Sequence, residues 1–387
     1  MIKLTFFMFN NLMDGKGTAN VLFNLLKNKP ENIETAVIIT DYVRNKRISE
    51  ETINNNLKGS DVIKIKKHKK VNKDGAIWRF INNFIIKNNI TDLKNVKKNK
   101  NLYEKIRDTD IVYLFYNPYS IFFDNMDIPV IGSTHGEDLK YITSMNLYKK
   151  IYFKLYYKMY YKNINGFHIF RDNNNLSNTI KATFGTEYNM VLPNGIDTSL
   201  FHPDYDVKNK KLRLFFVASL KYGKGLDILM PLIDKFSGNN EVEFHIAGGG
   251  PMENQIKNNE NIIYHGIVNN NELSELYNKS DIFIYPSHND TFSMVTLEAL
   301  SSGLYVLCSD YLKGNFDDFE NKYLEYLPLN VDIWYNRINE ITNNRALIGH
   351  DKNEEYDYVK DNYDWKIISK KFYDYMVKFY NESRIKK

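Results

Sequence analysis

Short apolar runs alternate with longer helix-patterned segments along most of this 387-residue chain, and that alternation limits the possible folds more than any other feature. In the first half the runs are KLTFFMF, TAVIIT, DVIKI, DIVYLFY and PVIGST, with a helical pattern over residues 18–28 after the first. In the second half LRLFFVA, EVEFHIAG, DIFIYPS and LYVLCS repeat the habit, each followed by a glycine-bearing turn or a helical segment. Strand runs without polar alternation are buried on both faces, which implies parallel sheets covered by crossover helices. The chain exceeds what one hydrophobic core usually serves, so two domains are expected. Turn residues and charges displace periodicity in PNGIDTSLFHPDYDVKNKK, residues 193–211, which sets the expected domains at 1–200 and 201–364. The expected architecture is two doubly wound, Rossmann-like α/β domains facing across a cleft, with ligands outside the carboxyl ends of the strands.

Composition sets further bounds. Hydrophobic residues at 43% suffice for two packed cores. The single cysteine, Cys308, falls in the apolar run LYVLCSD and reads as a buried strand residue, which leaves no disulfide framework. The amino-terminal apolar run is too short to span a bilayer and no small-residue cleavage site follows it. No run of membrane-spanning length occurs elsewhere, and a soluble, cytoplasmic chain is the expectation. The net charge of +5 is mild but unevenly spread: residues 58–107 carry fifteen Lys or Arg against four acids. An anionic partner surface and a solvated face both account for that excess.

HNDTFSMVTLEALSSGLYVLCSD, residues 288–310, places two carboxylates, Asp290 and Glu298, eight positions apart across a strand-to-helix junction. The run before it reads as a buried strand ending at Pro286, and TFSMVTLEALSSG as a helix closed by Gly303, with Glu298 about two turns in. Backbone N–H groups near Ser293, Met294 and Val295 lack intrahelical partners and favour an anion such as a diphosphate. One carboxylate can then accept from sugar hydroxyls and the other from ribose hydroxyls. A capped helix whose Glu298 faces solvent explains the same spacing.

Other candidates stand at strand ends. In MDGKGTANVLFNLL, Gly15 and Gly17 allow backbone to approach a ligand, although a plain βα turn explains two glycines as well. His135 stands just past a buried strand in PVIGSTHGEDL; a lone histidine is often structural, but this place in an α/β sheet is where ligands collect. In SLKYGKGLDIL, Lys224 lies between two glycines at the start of a helix, where its ammonium can neutralise a leaving diphosphate; Lys221 is a second candidate, and an ordinary surface lysine is the alternative. IAGGGP holds Gly249 and Gly250 in a turn that lets backbone approach a sugar or phosphate, with Pro251 suited to a first helical position. The stretch around Ile267, between a strand end at Tyr264 and a helix starting near Asn271, offers exposed backbone to a nucleobase. No cluster of acids, His or Cys stands at metal-ligand spacing, so no metal or other cofactor is expected.

Taken in order and at this spacing, these segments resemble glycosyltransferase family 4, the retaining, nucleotide-sugar-dependent enzymes of the GT-B fold. The resemblance covers nearly the whole chain, from the glycine loop through VLPNGIDTSLFHP, SLKYGKGLDIL, IAGGGP, HGIVNNNELSELYNKSDIFIYPS and the paired-carboxylate segment to YDWKIISKKFYDYM. It implies that the last helix, residues 365–384, crosses back to the first domain. It further implies that Glu298 holds the ribose, Asp290 the hydroxyls of the transferred sugar, Lys224 the diphosphate, and His135 the donor sugar near its reacting carbon, with Gly15 and Gly17 in the amino-terminal loop. Front-face attack with the leaving phosphate as base is implied, without metal or a classical nucleophile.

This chain departs from the family pattern at three places. Asp290 replaces the usual glutamate, Thr291 and Ser293 stand where glycines are common, and Ser219 occupies the position of an arginine that would grip the diphosphate in two-pronged fashion, leaving Lys221 as a point-charge substitute. Two functions follow: a retaining glycosyltransferase moving a sugar from a UDP- or GDP-sugar to a glycan or lipid-linked acceptor, in glycolipid or cell-surface polysaccharide synthesis, and a catalytically impaired donor-binding homologue serving as a partner subunit. The basic stretch 58–107, with Ile77, Trp78, Phe80, Ile81, Phe84 and Ile85, fits a helix on anionic lipid at least as well as nucleic acid. Residues 139–163 add six lysines, no acid and eight aromatics, among them Tyr161; these point to peripheral attachment at a membrane face rather than to nucleic acid, with aromatics facing the core of a tyrosine-rich chain as the alternative.

Overall fold

The computed structural model describes residues 1–8, 17–40, 49–65, 104, 106–115, 120, 123, 126–134, 161, 163–170, 176–204, 209–288, 290 and 292–385. These residues divide into two compact units, one formed by Met1–Leu192 with Ser369–Lys387 and the other by Pro193–Ile368. Both are parallel α/β sheets, as the apolar runs lead one to expect.

Unit 1 contains the strands β1 (Ile2–Phe7), β2 (Ile33–Thr40), β3 (Ser60–Ile65), β4 (Ile111–Leu114), β5 (Val130–Ser133), β6 (Gly166–Ile169) and β7 (Tyr188–Val191). They pair in the order β3-β2-β1-β4-β5-β6-β7, every pairing parallel. Helix α1 (Gly17–Lys27) follows β1 and buries Ala19, Val21, Leu22, Phe23, Leu25 and Leu26; α2 (Glu50–Asn56) precedes β3 and α3 (Leu176–Phe184) precedes β7. Strands β6 and β7 are absent from the runs expected above. GFHI and YNMV are four residues each and contain polar groups that the fold satisfies internally. His168 on β6 is buried, its Nε2 bonds to the Leu192 carbonyl at 2.8 Å and its Nδ1 to the Tyr113 hydroxyl at 2.7 Å. The carbonyl can only accept, so Nε2 carries the proton and Tyr113 donates to Nδ1. Burial pushes His168 down to about 4, which keeps it neutral.

Unit 2 contains β8 (Leu212–Val217), α4 (Leu226–Lys235), β9 (Val242–Ala247), α5 (Glu253–Lys257), β10 (Ile262–Gly266), α6 (Asn270–Asn278), β11 (Ile282–Tyr285), α7 (Met294–Ser301), β12 (Tyr305–Ser309), β13 (Leu324–Leu327), α8 (Val331–Asn343) and α9 (Lys352–Tyr363). Its six strands run β10-β9-β8-β11-β12-β13, again all parallel. Cys308 lies in β12, fully buried. Trp334 is fully buried too and donates its indole N–H to the Pro328 carbonyl at 2.9 Å. The segment after Pro193 is pinned to this unit, since Ile196 bridges Asp364 and Thr198 donates to the Asp364 carboxylate at 2.5 Å. Helix α10 (Trp365–Ile385) begins in unit 2, and its greater part, from Ser369 on, belongs to unit 1. There Phe372, Tyr373, Met376 and Phe379 are buried, and Tyr373 donates to the Leu25 carbonyl at 2.9 Å.

Strand order reverses direction in unit 2 between β8 and β11, which are neighbours although β9 and β10 intervene in sequence. Loops leaving the carboxyl ends of two such strands diverge to opposite faces and leave a crevice between them. The β8 and β11 loops carry Lys224 and Asp290.

Candidate functional site

After β8 the chain makes a single 3-10 turn, Tyr222–Lys224, and enters α4 through Gly225. Gly225 sits at φ 84°, and a Cβ there would meet the Pro286 carbonyl oxygen at 1.9 Å, so the β8 and β11 loops touch backbone to backbone. The contact is reinforced by His288, whose amide donates to the Gly223 carbonyl at 3.2 Å. The His288 ring stacks on Tyr222 with centroids 5.2 Å apart and 9° between planes, and its Nε2 lies 2.8 and 2.9 Å from the two Asp227 carboxylate oxygens.

Within this frame three side chains close on one another. Lys224 Nζ donates to Asp290 Oδ2 at 2.7 Å and to the Tyr285 hydroxyl at 2.9 Å, and that hydroxyl donates to Asp290 Oδ2 at 2.8 Å. The Lys224 and Asp290 side chains are 18% and 21% exposed, so the charges are sheltered yet reachable. Tyr285 is the last residue of β11 and is held well above its usual range, by burial first and then by the Asp290 charge. Nothing in DIFIYPS distinguishes its tyrosine from the apolar residues beside it.

Glu298 follows on α7. Ser293 caps that helix, its Oγ accepting from the Thr296 amide at 3.3 Å and the Thr296 hydroxyl at 2.8 Å. The helix therefore opens at Met294, and Glu298 stands in its second turn, one turn nearer the cap than the sequence spacing alone suggests. Helix geometry leaves the Met294 and Val295 amides without intrahelical carbonyl partners, at the positive end of the dipole. Glu298 does not simply face solvent. Tyr277, buried on α6, donates its hydroxyl toward Glu298 Oε2 and the Val295 carbonyl, each at 3.0 Å. Burial pushes the Glu298 carboxyl up to about 7, against the opposing pull of Tyr277.

The glycine turn after β9 is packed against its own unit. A Cβ on Gly248, at φ 120°, would meet the Ala218 oxygen at 1.9 Å; one on Gly250 would meet the Leu220 oxygen at 2.5 Å, and one on Gly249 the Ile267 side chain at 2.8 Å. Close approach to the β8 loop, secured by Leu220 N–H to Gly249 O at 3.1 Å, is thus sufficient reason for these glycines. Pro251 lies in the turn and the helix starts two residues later, at Glu253, rather than at the proline. Ile267 is 81% exposed and lies beside Gly249, next to a cavity of about 370 Å³ lined by His265, Ile267, Val268, Glu272, Glu275, Leu276 and Lys279.

Ser219 and Lys221 are both exposed on the β8 loop. Gly17 opens α1 in unit 1, exposed, with open space where its Cβ would stand. Gly15 and His135 lie outside the described residues, as do most of 58–107 and nearly all of 139–163. Tyr161 is described and is no interfacial aromatic: it is buried in the unit 1 core, stacked on Phe184 at 5.5 Å and 15°. Among the described residues no group of three or more His, Cys, Asp or Glu is placed to hold a metal ion, and no helix is long and apolar enough to cross a membrane.

Two Rossmann-like parallel sheets, the second with a charged cluster at its switch point, define the GT-B fold. Sucrose-phosphate synthase from Thermosynechococcus elongatus superposes with a TM-score of 0.73 over 99% of this chain and 100% of that one, at 11% identity. HepE of Anabaena, solved with UDP and glucose, superposes at 0.68 over 97% of this chain and 100% of that one, at 13% identity. Residues 197–360, which lie within the second unit, match the family model for glycosyl transferases group 1. In sequence, a phosphatidylinositol N-acetylglucosaminyltransferase subunit of Schizosaccharomyces pombe is 28% identical over 149 residues, 36% of this chain and 32% of that protein. The sulfoquinovosyl transferase of Arabidopsis thaliana is 27% identical over 128 residues, 30% of this chain and 24% of that protein. The chain thus aligns with only about a quarter to a third of these relatives' lengths, 24% and 32%.

Proposed function

We propose that the chain is a retaining glycosyltransferase that moves a sugar from a nucleoside-diphosphate sugar to an acceptor hydroxyl. The observation that carries this reading is the pairing of Lys224 with Asp290 at the switch point of the unit 2 sheet, on the segment that leads into the first turn of α7 and on to Glu298. In this reading the ammonium and the amides of that turn stabilise the charge that builds on the leaving diphosphate, in a sheltered place where such interactions are strongest. The bond from the anomeric carbon to the phosphate oxygen breaks, the acceptor oxygen bonds the same face of that carbon, and the acceptor proton passes to the leaving phosphate. Glu298 accepts from ribose hydroxyls, exposed Ile267 backs the nucleobase, and Asp290 receives hydroxyls of the transferred sugar. Charge compensation by Lys224 and the helix terminus asks for no metal.

For the acceptor, a lipid-linked hydroxyl is supported by the names of relatives, which include the phosphatidylinositol enzyme above and an alpha-galactosylglucosyldiacylglycerol synthase of Streptococcus pneumoniae, 24% identical over 188 residues, 39% of this chain and 49% of that protein. The basic, aromatic stretches 58–107 and 139–163 would bring the chain to such a surface. Transfer from labelled UDP- and GDP-sugars, with Glu298→Ala and Lys224→Ala as controls, is the direct test: both variants should lose most turnover, and full activity in both would sink the assignment. A second reading, a donor-binding subunit without turnover, is favoured by exposed Ser219, which brings no guanidinium to the β8 loop. Nucleotide binding by calorimetry with no transfer to any acceptor would select it.

A further inference from the structure

We propose that Asp290 is an exchangeable counter-ion: it holds Lys224 while the site is empty and yields the ammonium to the diphosphate of an arriving donor, with the Tyr285 hydroxyl as the fixed pivot. The inference rests on the donor-site reading above and adds to it a step in binding. Two of the three Lys224 N–H groups are taken, one by Asp290 and one by Tyr285. A paired ammonium attracts an anion far less than a bare one, because the carboxylate cancels its charge at short range. A diphosphate therefore competes with Asp290 for the same donor, and the outcome depends on whether the lysine can change partners without moving away.

Tyr285 supplies that constancy. Its side chain is buried at the end of β11, its position fixed by the sheet, and its hydroxyl accepts from Lys224 whichever anion the ammonium faces. Asp290 is different: it stands on the loop beyond β11, partly exposed, and its carboxylate has no partner in the triangle besides Lys224 and Tyr285. Released from Lys224, it is repelled by the incoming phosphates and turns toward groups that donate, the hydroxyls of the transferred sugar among them. One carboxylate so serves first as a counter-ion and then as a hydroxyl acceptor, and a bare nucleotide meets only the first role.

That difference separates the proposal from a carboxylate that only binds sugar. Titration calorimetry of the full chain with UDP and with GDP, neither of which carries a sugar, reads it directly. Asp290→Asn, nearly the same shape without the charge, should bind the favoured nucleotide at least threefold more tightly than the unchanged chain while its sugar transfer falls. Tyr285→Phe should bind it severalfold more weakly, and Lys224→Ala should abolish most of the binding. Tightening in Asp290→Asn establishes the exchange; unchanged or weaker binding there, with Lys224→Ala still impaired, overturns the exchange and leaves the donor site standing. Binding that ignores Lys224→Ala, or no binding of either nucleotide by the unchanged chain, overturns the donor site and this proposal together. Thermal unfolding of each variant separates a lost contact from a lost fold.

Discussion

The buried Tyr277 hydroxyl lies 3.0 Å from both Glu298 Oε2 and the Val295 carbonyl, two acceptors for one proton. Donation from that hydroxyl favours the ionised Glu298, whereas burial disfavours it; burial is the larger effect, and the carboxyl is pushed up to about 7.

Nucleotide affinity should consequently depend on pH through Glu298. Ribose hydroxyls donate best to the ionised carboxylate, so binding expels its proton below about pH 7 and is weaker there. UDP or GDP titrated on either side of that value should show affinity rising with pH, and Glu298→Gln should remove that component while any part due to the nucleotide's own phosphate remains. An identical pH profile in the two proteins would contradict the assignment.

Stability should depend on pH through another pair. His350 Nε2 lies 2.7 Å from Glu355 Oε2, with side chains only 8% and 0% exposed. Burial raises the Glu355 carboxyl to about 7 from an ordinary 4.5. The His350 imidazole is also raised, its contacts with the Glu355 carboxylate outweighing the larger single effect of burial. A folded value above the unfolded one contributes stability that is complete below the unfolded value and is lost as pH rises through the folded one. Stability should accordingly fall as pH rises from about 4.5 to 7, by at most about 1.4 kcal/mol per pH unit per proton; the melting temperature in differential scanning calorimetry should drop with it, and Glu355→Gln should flatten that drop.

Gly225→Ala should destabilise unit 2 severely. The new Cβ would lie 1.9 Å from the Pro286 oxygen on backbone at φ 84°, so both a clash and a strained conformation arise at once. The strain alone is worth about 1–3 kcal/mol, and the clash would pry the β8 loop from the β11 loop. Urea unfolding should show the loss, with nucleotide binding lost alongside it; a wild-type midpoint would refute the packing described.

Phe372→Ala tests the last helix. Phe372 is fully buried, 5.3 Å from the Tyr113 ring and 6.2 Å from that of Phe6. Truncation should cost about 3–5 kcal/mol, read as a lower denaturation midpoint. The same change at exposed Lys371, two sides of one helix apart in burial, should cost almost nothing.

How much of this was legible in the sequence depended on the range of the interaction. Strands β11 and β12 announced themselves because every residue of IFIY and YVLCS is buried and nearly all are apolar, whereas β6, β7 and β13 carry His168, Asn189 and Glu325 within four residues. Lys224 and Asp290 were each visible as charges at strand ends, yet their mutual bond spans 66 positions and no local pattern encodes it. Tyr285 and Tyr277 were invisible for a related reason: a buried tyrosine looks apolar in a strand or helix until the partner of its hydroxyl is known. Gly249 and Gly250 were noticed for the right property, smallness, although the neighbour that demands it is the protein's own backbone.

The assignment of Ser369–Lys387 to the same unit as Met1–Leu192 has a bearing on how the molecule comes into being. On the ribosome the seven strands of the unit 1 sheet emerge before Pro193–Ile368, but the Phe372, Tyr373, Met376 and Phe379 side chains that join their core emerge after it. The second unit is a continuous stretch and can close as soon as it clears the exit tunnel. Until residue 372 is made the Phe6 and Tyr113 rings lack the Phe372 ring that packs on them, and an apolar face left uncovered on a nascent chain favours aggregation.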